Sequence, residues 1–98
     1  MTINKEMNGT ELIIAVAGNL DTTTAPELEK ELKDSLRDAH SLVLDFKDLS
    51  YISSAGLRVV LYAQKTMSSK GGMKVKNLNE IVSEVFEVTG FSDILDIE

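Results

Sequence analysis

The chain has 98 residues, of which 43% are hydrophobic and 27% are charged, and it contains no cysteine. These totals predict one globular domain with a single modest core, and they exclude disulfides and cysteine-ligated metal sites. The formal net charge is −6 and the basic residues are scattered, so binding to nucleic acid or to an anionic membrane is not expected.

The amino terminus, MTINKEMNGTELII, has no apolar signal core, and no run of the sequence approaches membrane-spanning length. Together with the lack of cysteine, this favours a cytoplasmic location. The chain is expected to act in solution or on a protein partner, and a basic protein surface would complement its acidity.

The first two predicted elements are strands. TINKEM is typical of a short edge strand, followed by a turn at Asn8 and Gly9. Leu12 to Ala17 is a nearly continuous apolar run, which predicts a strand covered on both faces.

The first helix is predicted to begin near Thr24. Thr24 and Glu27 fit a capping box, and Pro26 is tolerated in the first turn. One apolar stripe recurs every four residues, at Leu28, Leu32 and Leu36. The segment from Ser41 to Phe46 then predicts a buried strand.

The second helix is predicted from about Ser54 to Lys70, and SSKGG ends it because glycine tolerates the left-handed conformation found after helices. Its apolar face is broad and consists of Leu57, Val60, Leu61 and Met67, widened by Ala55, Val59 and Ala63.

The last third of the chain predicts a strand at MKVKN and a helix capped by Asn79. Gly90 is expected to end this helix and Phe91 to seal its end through an apolar contact. The tail FSDILDIE fits either a short helix or an edge strand. The residues predicted to face inward from the helix are Ile81, Val82, Val85 and Phe86.

The order of these elements, β-β-α-β-α-β-α, predicts a single α/β domain over residues 1–98. We expect a mixed, mostly parallel sheet of four to five strands packed against helices, with right-handed crossovers. Ligands and partners of such sheets collect beyond the carboxyl ends of the strands. The two strand-to-helix turns GNLDTTTAP and SYISSAG are therefore expected to lie side by side.

The serine turn has two readings. Ser53 fits an N-cap, worth about 1 kcal/mol, with Ser54 an incidental first-turn residue. Gly56 weakens that reading, because a glycine in a helix costs about 0.5–1 kcal/mol relative to alanine and capping does not require it. Close approach of a partner surface would explain Gly56, and so would tight packing against the neighbouring turn.

The segments DLSYISSAGLRVVL, GNLDTTTAPEL upstream and VFEVTGFSDIL downstream resemble the anti-sigma factor antagonists, stand-alone members of the STAS family. The resemblance covers nearly the whole chain, and the serine segment is its most specific part. It implies a STAS fold and a regulator of transcription. Ser53 stands where many members carry aspartate, and Ala55 where many carry serine or threonine.

Matched on Gly56 and Leu57, the family pattern implies that Ser54 is the phosphoacceptor, with Ser53 as the secondary candidate. The resemblance implies that the unphosphorylated form binds an anti-sigma factor that is also a serine/threonine kinase, and frees the sigma factor. The phosphorylated form dissociates from the kinase, and a serine phosphatase removes the phosphate. ATP belongs to the partner, so this chain is expected to carry no cofactor.

The expected partner-contact residues are Asp21, Thr22, Ser53, Ser54, Gly56 and Arg58. Asp21 and Thr22 have an equally good explanation as turn and cap residues of the first helix. The alternative function is a STAS adaptor that docks a non-sigma signalling or transport complex without phosphorylation.

Enzyme activity is not expected. ISSAG differs from the G-x-S-x-G elbow, and His40 is the only histidine available to a triad with Ser54. SSKGG lacks the P-loop order, and the aspartates form no metal-binding loop.

Overall fold

A computed structural model describes the whole chain, residues Met1–Glu98. The strands are β1 (Thr2–Asn8), β2 (Glu11–Leu20), β3 (Ser41–Asp45), β4 (Leu49–Ile52), β5 (Met73–Lys76) and β6 (Asp96–Ile97). The helices are α1 (Ala25–Ser35), α2 (Ser54–Ser68) and α3 (Glu80–Val88), and short 3-10 turns follow α1 and α3, at Leu36–Asp38 and Phe91–Asp93. None of the three α-helices has the length and apolar character needed to cross a membrane.

The six strands form one mixed sheet in the order β1-β2-β3-β5-β6, with β4 paired to β2. Only β1 is antiparallel to its neighbour; every other pairing is parallel. This confirms the α/β class and the mostly parallel sheet, with six strands in place of four to five. The sequence gives no separate signal for β4, which has four residues, two of them exposed, and β6 has only two residues.

Strand β2 is longer than the predicted Leu12–Ala17 run, and the prediction that it is covered on both faces is wrong. Its burial alternates: Leu12, Ile14 and Val16 are buried, whereas Ile13 and its other alternate neighbours are only half-buried. One face of the sheet therefore packs on the core, as alternation in a strand requires.

The amphipathic helices α1 and α2 supply most of the opposing core. The predicted stripe of α1 is fully buried, and so are Leu57, Val60 and Met67 of α2, whereas Leu61 is half-buried. Lys70, just beyond α2, joins the two helix ends: its Nζ donates to the carbonyl oxygens of Leu36 (2.5 Å) and Ala39 (3.0 Å).

Helix α3 begins and ends as predicted, but it is rotated. The Asn79 side chain accepts the backbone N–H of Val82 at 2.8 Å, and Gly90 ends the helix with φ +81°. The Phe86 and Phe91 rings lie 6.0 Å apart, which confirms the predicted apolar seal. The prediction that Ile81 faces inward is wrong, because its exposed fraction is 58%. The tail forms a 3-10 turn and the edge strand β6.

Candidate functional site

The carboxyl ends of β2 and β4 lie directly beside each other. Leu20 is paired with Ile52, and the backbone N–H of Ser53 donates to the Leu20 carbonyl oxygen at 2.9 Å. The same strand β2 pairs with β3 through Glu11–Ala15 and switches to β4 at Gly18. This confirms that the two strand-to-helix turns are neighbours, although they lie far apart in sequence.

The turn after β2 is organised by one carboxylate. Asp21 Oδ1 accepts the backbone N–H groups of Thr23 (3.0 Å) and Thr24 (3.1 Å) and also the Thr23 hydroxyl (2.9 Å). These bonds, the Thr23 hydroxyl first, hold the pKa of Asp21 below its ordinary value because they favour the ionised form. Asp21 is only half-exposed, whereas Thr22 is exposed.

The predicted capping box between Thr24 and Glu27 is wrong. Thr24 makes no side-chain capping bond to α1. Its hydroxyl instead accepts the backbone N–H of Asp21 at 2.8 Å and donates to the Asn19 carbonyl oxygen at 2.7 Å. Thr24 therefore stabilises the turn and not the helix, because its hydroxyl is oriented toward the preceding strand.

The two serines at the start of α2 occupy different environments. Ser54 is the first residue of the helix and is exposed. Ser53 is in the N-cap position with extended backbone, but its side chain makes no capping bond, and its Oγ is buried without a hydrogen-bond partner. The capping bond that the N-cap interpretation of Ser53 predicts is therefore absent.

Gly56 explains why the first turn of α2 lies so close to the sheet. An added Cβ would be only 2.8 Å from Leu20 Cγ, from the Leu20 carbonyl oxygen and from Ile52 Cγ1. Gly56 is buried, so this geometry supports tight packing and does not support a direct partner contact at Gly56. The glycine brings the helix start onto the ends of β2 and β4.

The residues after Gly56 divide between core and surface. Leu57 is 8% exposed and belongs to the core, as its place on the apolar stripe predicts. Arg58 is exposed, on the outer side of the same turn as Ser54. Within the rim formed by the two turns, Thr22, Ser54 and Arg58 are thus the predicted contact residues that solvent reaches most freely.

Sequence reasoning missed one exposed side chain next to this rim. Tyr51 lies on β4, pairs with Asn19 of β2 and has an exposed fraction of 47%. The available signal was a tyrosine immediately before the serine turn. The sequence pattern places Ser50–Ile52 in the strand-to-helix turn SYISSAG, whereas in the structure these residues belong to β4.

The start of α2 favours an anion. The first intrahelical bond joins the Leu57 N–H to the Ser53 carbonyl oxygen at 2.9 Å, so the preceding N–H groups of the first turn have no helical partner. No acidic residue lies in that turn. The positive end of the helix dipole is therefore uncompensated at Ser54.

The chain matches the family model described as STAS domain over residues 2–98. It is 32% identical to the anti-sigma-B factor antagonist of Bacillus subtilis (strain 168), over 99% of this chain and 90% of that protein. The fold matches a crystal structure of an anti-sigma factor antagonist from Mycobacterium paratuberculosis with a TM-score of 0.90 and 22% identity, covering 98% of this chain and 83% of that one.

A second solved structure is that of the Bacillus cell fate determinant SpoIIAA in its phosphorylated form. It matches with a TM-score of 0.77 and 18% identity, covering 99% of this chain and 91% of that one. The family match spans nearly every residue of the fold, the rim of the two turns included. The chain therefore belongs to the STAS domain family, in the branch of the anti-sigma factor antagonists.

Proposed function

We propose that this protein is a phosphorylation-controlled interaction switch. With a free hydroxyl on Ser54, it binds an anti-sigma factor that is a serine/threonine kinase, and the bound sigma factor is released to the transcription machinery. Phosphorylation of Ser54 by that kinase, with the kinase's ATP, ends the interaction. A serine phosphatase restores the binding form.

The observation that carries this proposal is the contrast between the two serines. A kinase must bring the acceptor hydroxyl to its own nucleotide, so the acceptor has to be accessible. Ser54 is exposed at the helix start, whereas the Ser53 Oγ is buried. Ser54 is therefore the preferred acceptor, and Ser53 becomes one only if the turn opens. The membership of the antagonist family and the existence of a phosphorylated relative support the same role.

The phosphate is expected to act by local mismatch and not by unfolding. It adds about −1.5 to −2 charges at the positive end of α2, where unpaired N–H groups can donate hydrogen bonds to an anion without disturbing the helix. The protein already carries a net charge of −6. A partner surface shaped for a neutral hydroxyl loses binding through repulsion and desolvation, and about 3 kcal/mol is enough for a hundredfold loss of affinity.

The proposed contact surface is the rim of the two turns. Thr22, Ser54 and Arg58 meet the partner directly, while Asp21 holds the Thr22 turn in shape through its bonds to Thr23 and Thr24. Gly56 contributes indirectly, because it seats the start of α2 on Leu20. The domain, residues 1–98, performs no chemistry of its own in this scheme, and we place it in the cytoplasm with its kinase.

The test is to incubate the protein with the candidate anti-sigma kinase and ATP, and to map the modified residue by mass spectrometry. We expect modification of Ser54, and none in Ser54→Ala. Affinity for the kinase is then measured for Ser54→Ala, Ser54→Asp and, as the matched neighbour, Ser53→Ala. Ser54→Asp is expected to lose binding at least about a hundredfold, while both alanine variants retain it.

The alternative is the adaptor that docks a non-sigma complex without phosphorylation. The observation that favours it is Ser53 in place of the aspartate carried by many members of the family. An adaptor predicts no modification of Ser54 by the kinase, and equal partner binding by Ser54→Ala and Ser54→Asp. That result would refute the switch.

A further inference from the structure

Helix α3 presents an apolar stripe to solvent beside the face that packs on the core. Val82 and Phe86 are fully buried, and this orientation leaves Ile81 58% exposed and Val88 81% exposed. Val85, half-buried, lies between them at helical spacing, so the three side chains form one continuous stripe. We call Ile81, Val85 and Val88 the α3 stripe.

One border of the α3 stripe is acidic. Glu80, Glu84 and Glu87 are exposed along the adjacent side of the helix, and the helix contains no basic residue. None of the three carboxylates takes part in an ion pair within the chain. The surface therefore combines exposed apolar side chains with an unpaired row of negative charges, a combination that needs a partner with the opposite pattern.

Charge and size exclude two possible occupants. A second copy would bring an identical glutamate row and another net charge of −6, so like charges would meet. A stable dimer of folded domains also needs about 20–30 residues on each side, whereas a short segment needs only the few apolar anchors that this stripe offers. An anionic membrane surface is repelled by the same glutamates.

We propose that the α3 stripe is a docking site for a basic amphipathic segment of a partner protein. The partner's apolar side chains would lie on Ile81, Val85 and Val88, and its lysines or arginines would face the glutamate row. The partner segment would bind as an amphipathic helix with its apolar face on α3. In this known mode of peptide recognition, apolar anchors at helical spacing give affinity and flanking charges give orientation.

This surface shares no residue with the rim of Thr22, Ser54 and Arg58. Docking at the α3 stripe is therefore expected to be insensitive to the state of Ser54. The inference stands if the Ser54 switch fails, and it can fail while the switch stands.

The probe is a synthetic helical peptide with leucines along one face and lysines along one border of that face. Titration of the isotope-labelled protein, followed by amide NMR shifts, is expected to place the largest changes in Glu80–Val88. Val88→Ser, and the double change Glu84→Lys with Glu87→Lys, should each weaken binding about tenfold. Met7→Ser is the matched control, since Met7 is 46% exposed on β1, away from α3.

Further measurements test the proposal against the other possible occupants and against the Ser54 switch. A peptide with glutamates in place of the lysines should bind at least about tenfold more weakly, and Ser54→Asp should bind the lysine peptide as the natural sequence does. Equal binding of both peptides, shifts centred outside α3, or no effect of Val88→Ser would overturn the proposal. So would a concentration-dependent dimer abolished by Val88→Ser, or co-sedimentation with phosphatidylserine vesicles.

Discussion

Gly56 at the start of α2 packs directly on Leu20 at the end of β2. A Cβ at Gly56 would lie 2.8 Å from the Leu20 carbonyl oxygen, which is backbone and cannot rotate away. This contact fixes the serine turn against the neighbouring turn. It also makes the effect of a methyl group at this position predictable.

We expect Gly56→Ala to destabilise the fold by about 1–2 kcal/mol. Alanine would ordinarily gain about 0.5–1 kcal/mol in a helix, but the overpacking against Leu20 and Ile52 costs about 1–3 kcal/mol and outweighs that gain. Urea unfolding measures the difference, with Ser54→Ala as an exposed control in the same turn. An unchanged or raised midpoint would show that the helix start has room to move.

Replacing the N-cap residue by alanine should affect the free energy of unfolding differently in α2 and α3. Ser53 Oγ is buried and has no partner, so Ser53→Ala should leave the free energy of unfolding unchanged or raise it. Asn79 accepts the Val82 N–H at 2.8 Å and donates to the Leu49 carbonyl oxygen at 2.8 Å, so Asn79→Ala should cost about 1–2 kcal/mol. Equal losses in chemical denaturation would mean that Ser53 does cap α2 in solution.

Ser54→Asp should make the protein more stable while, under the proposed switch, it weakens binding to the kinase. The first turn of α2 contains no acid, and a carboxylate there contributes about 0.3–1 kcal/mol through the helix dipole at low ionic strength. Ser68→Asp, at the other end of the same helix, is the control and should destabilise. A destabilised Ser54→Asp would imply that loss of binding reflects damage to the fold.

The hydrogen bonds of Asp21 predict that part of the protein's stability depends on pH. Because hydrogen bonds, chiefly from the Thr23 hydroxyl, lower its folded pKa below the unfolded value of about 3.9, its contribution is complete above that value. The contribution is lost as the pH falls through the folded pKa. Asp21→Asn should therefore lie closer to the natural sequence at pH 3 than at pH 7 in thermal unfolding.

Asp34→Asn, an exposed change on α1, is the control for that comparison. Asp45 contributes with the same sign. Burial raises the pKa of Asp45, but hydrogen bonds from the Asn77 amide and the Lys47 N–H, together with the charges of Lys76 and Lys47, lower it by more. A gap between Asp21→Asn and the natural sequence that widens toward pH 3 would contradict the hydrogen-bond account.

We expect Lys70 to stabilise the junction of α1 and α2. Its ammonium donates to the carbonyl oxygens of Leu36, Arg37 and Ala39 at the end of α1, where carbonyl groups run short of helical partners. The Leu36 oxygen also accepts the Ala39 N–H at 3.2 Å. Lys70→Met should cost about 1–2 kcal/mol in urea unfolding. Lys65→Met, in the last turn of α2, should be close to neutral. Equal changes in the free energy of unfolding for Lys70→Met and Lys65→Met would show that the Lys70 hydrogen bonds do not stabilise the fold.

Local sequence patterns are sufficient to predict the helices, most of the strands and the family. The leucine spacing of α1, the apolar face of α2, the Asn79 cap and the Gly90 stop are local signals, because periodicity and capping depend on residues within one or two turns. The side-by-side placement of the two turns also followed, since parallel strands end at the same edge of a sheet.

The remaining features depend on contacts between elements that are distant in the sequence. Strand β4 forms because β2 continues past β3 and offers it a partner, not because of its own four residues. The outward position of Ile81 depends on how α3 rotates to bury Val82 and Phe86, and an apolar run cannot specify that angle. The same holds for the two serines. They are identical and adjacent in the sequence, and only the packing of the helix start on Leu20 makes one hydroxyl buried and the other exposed.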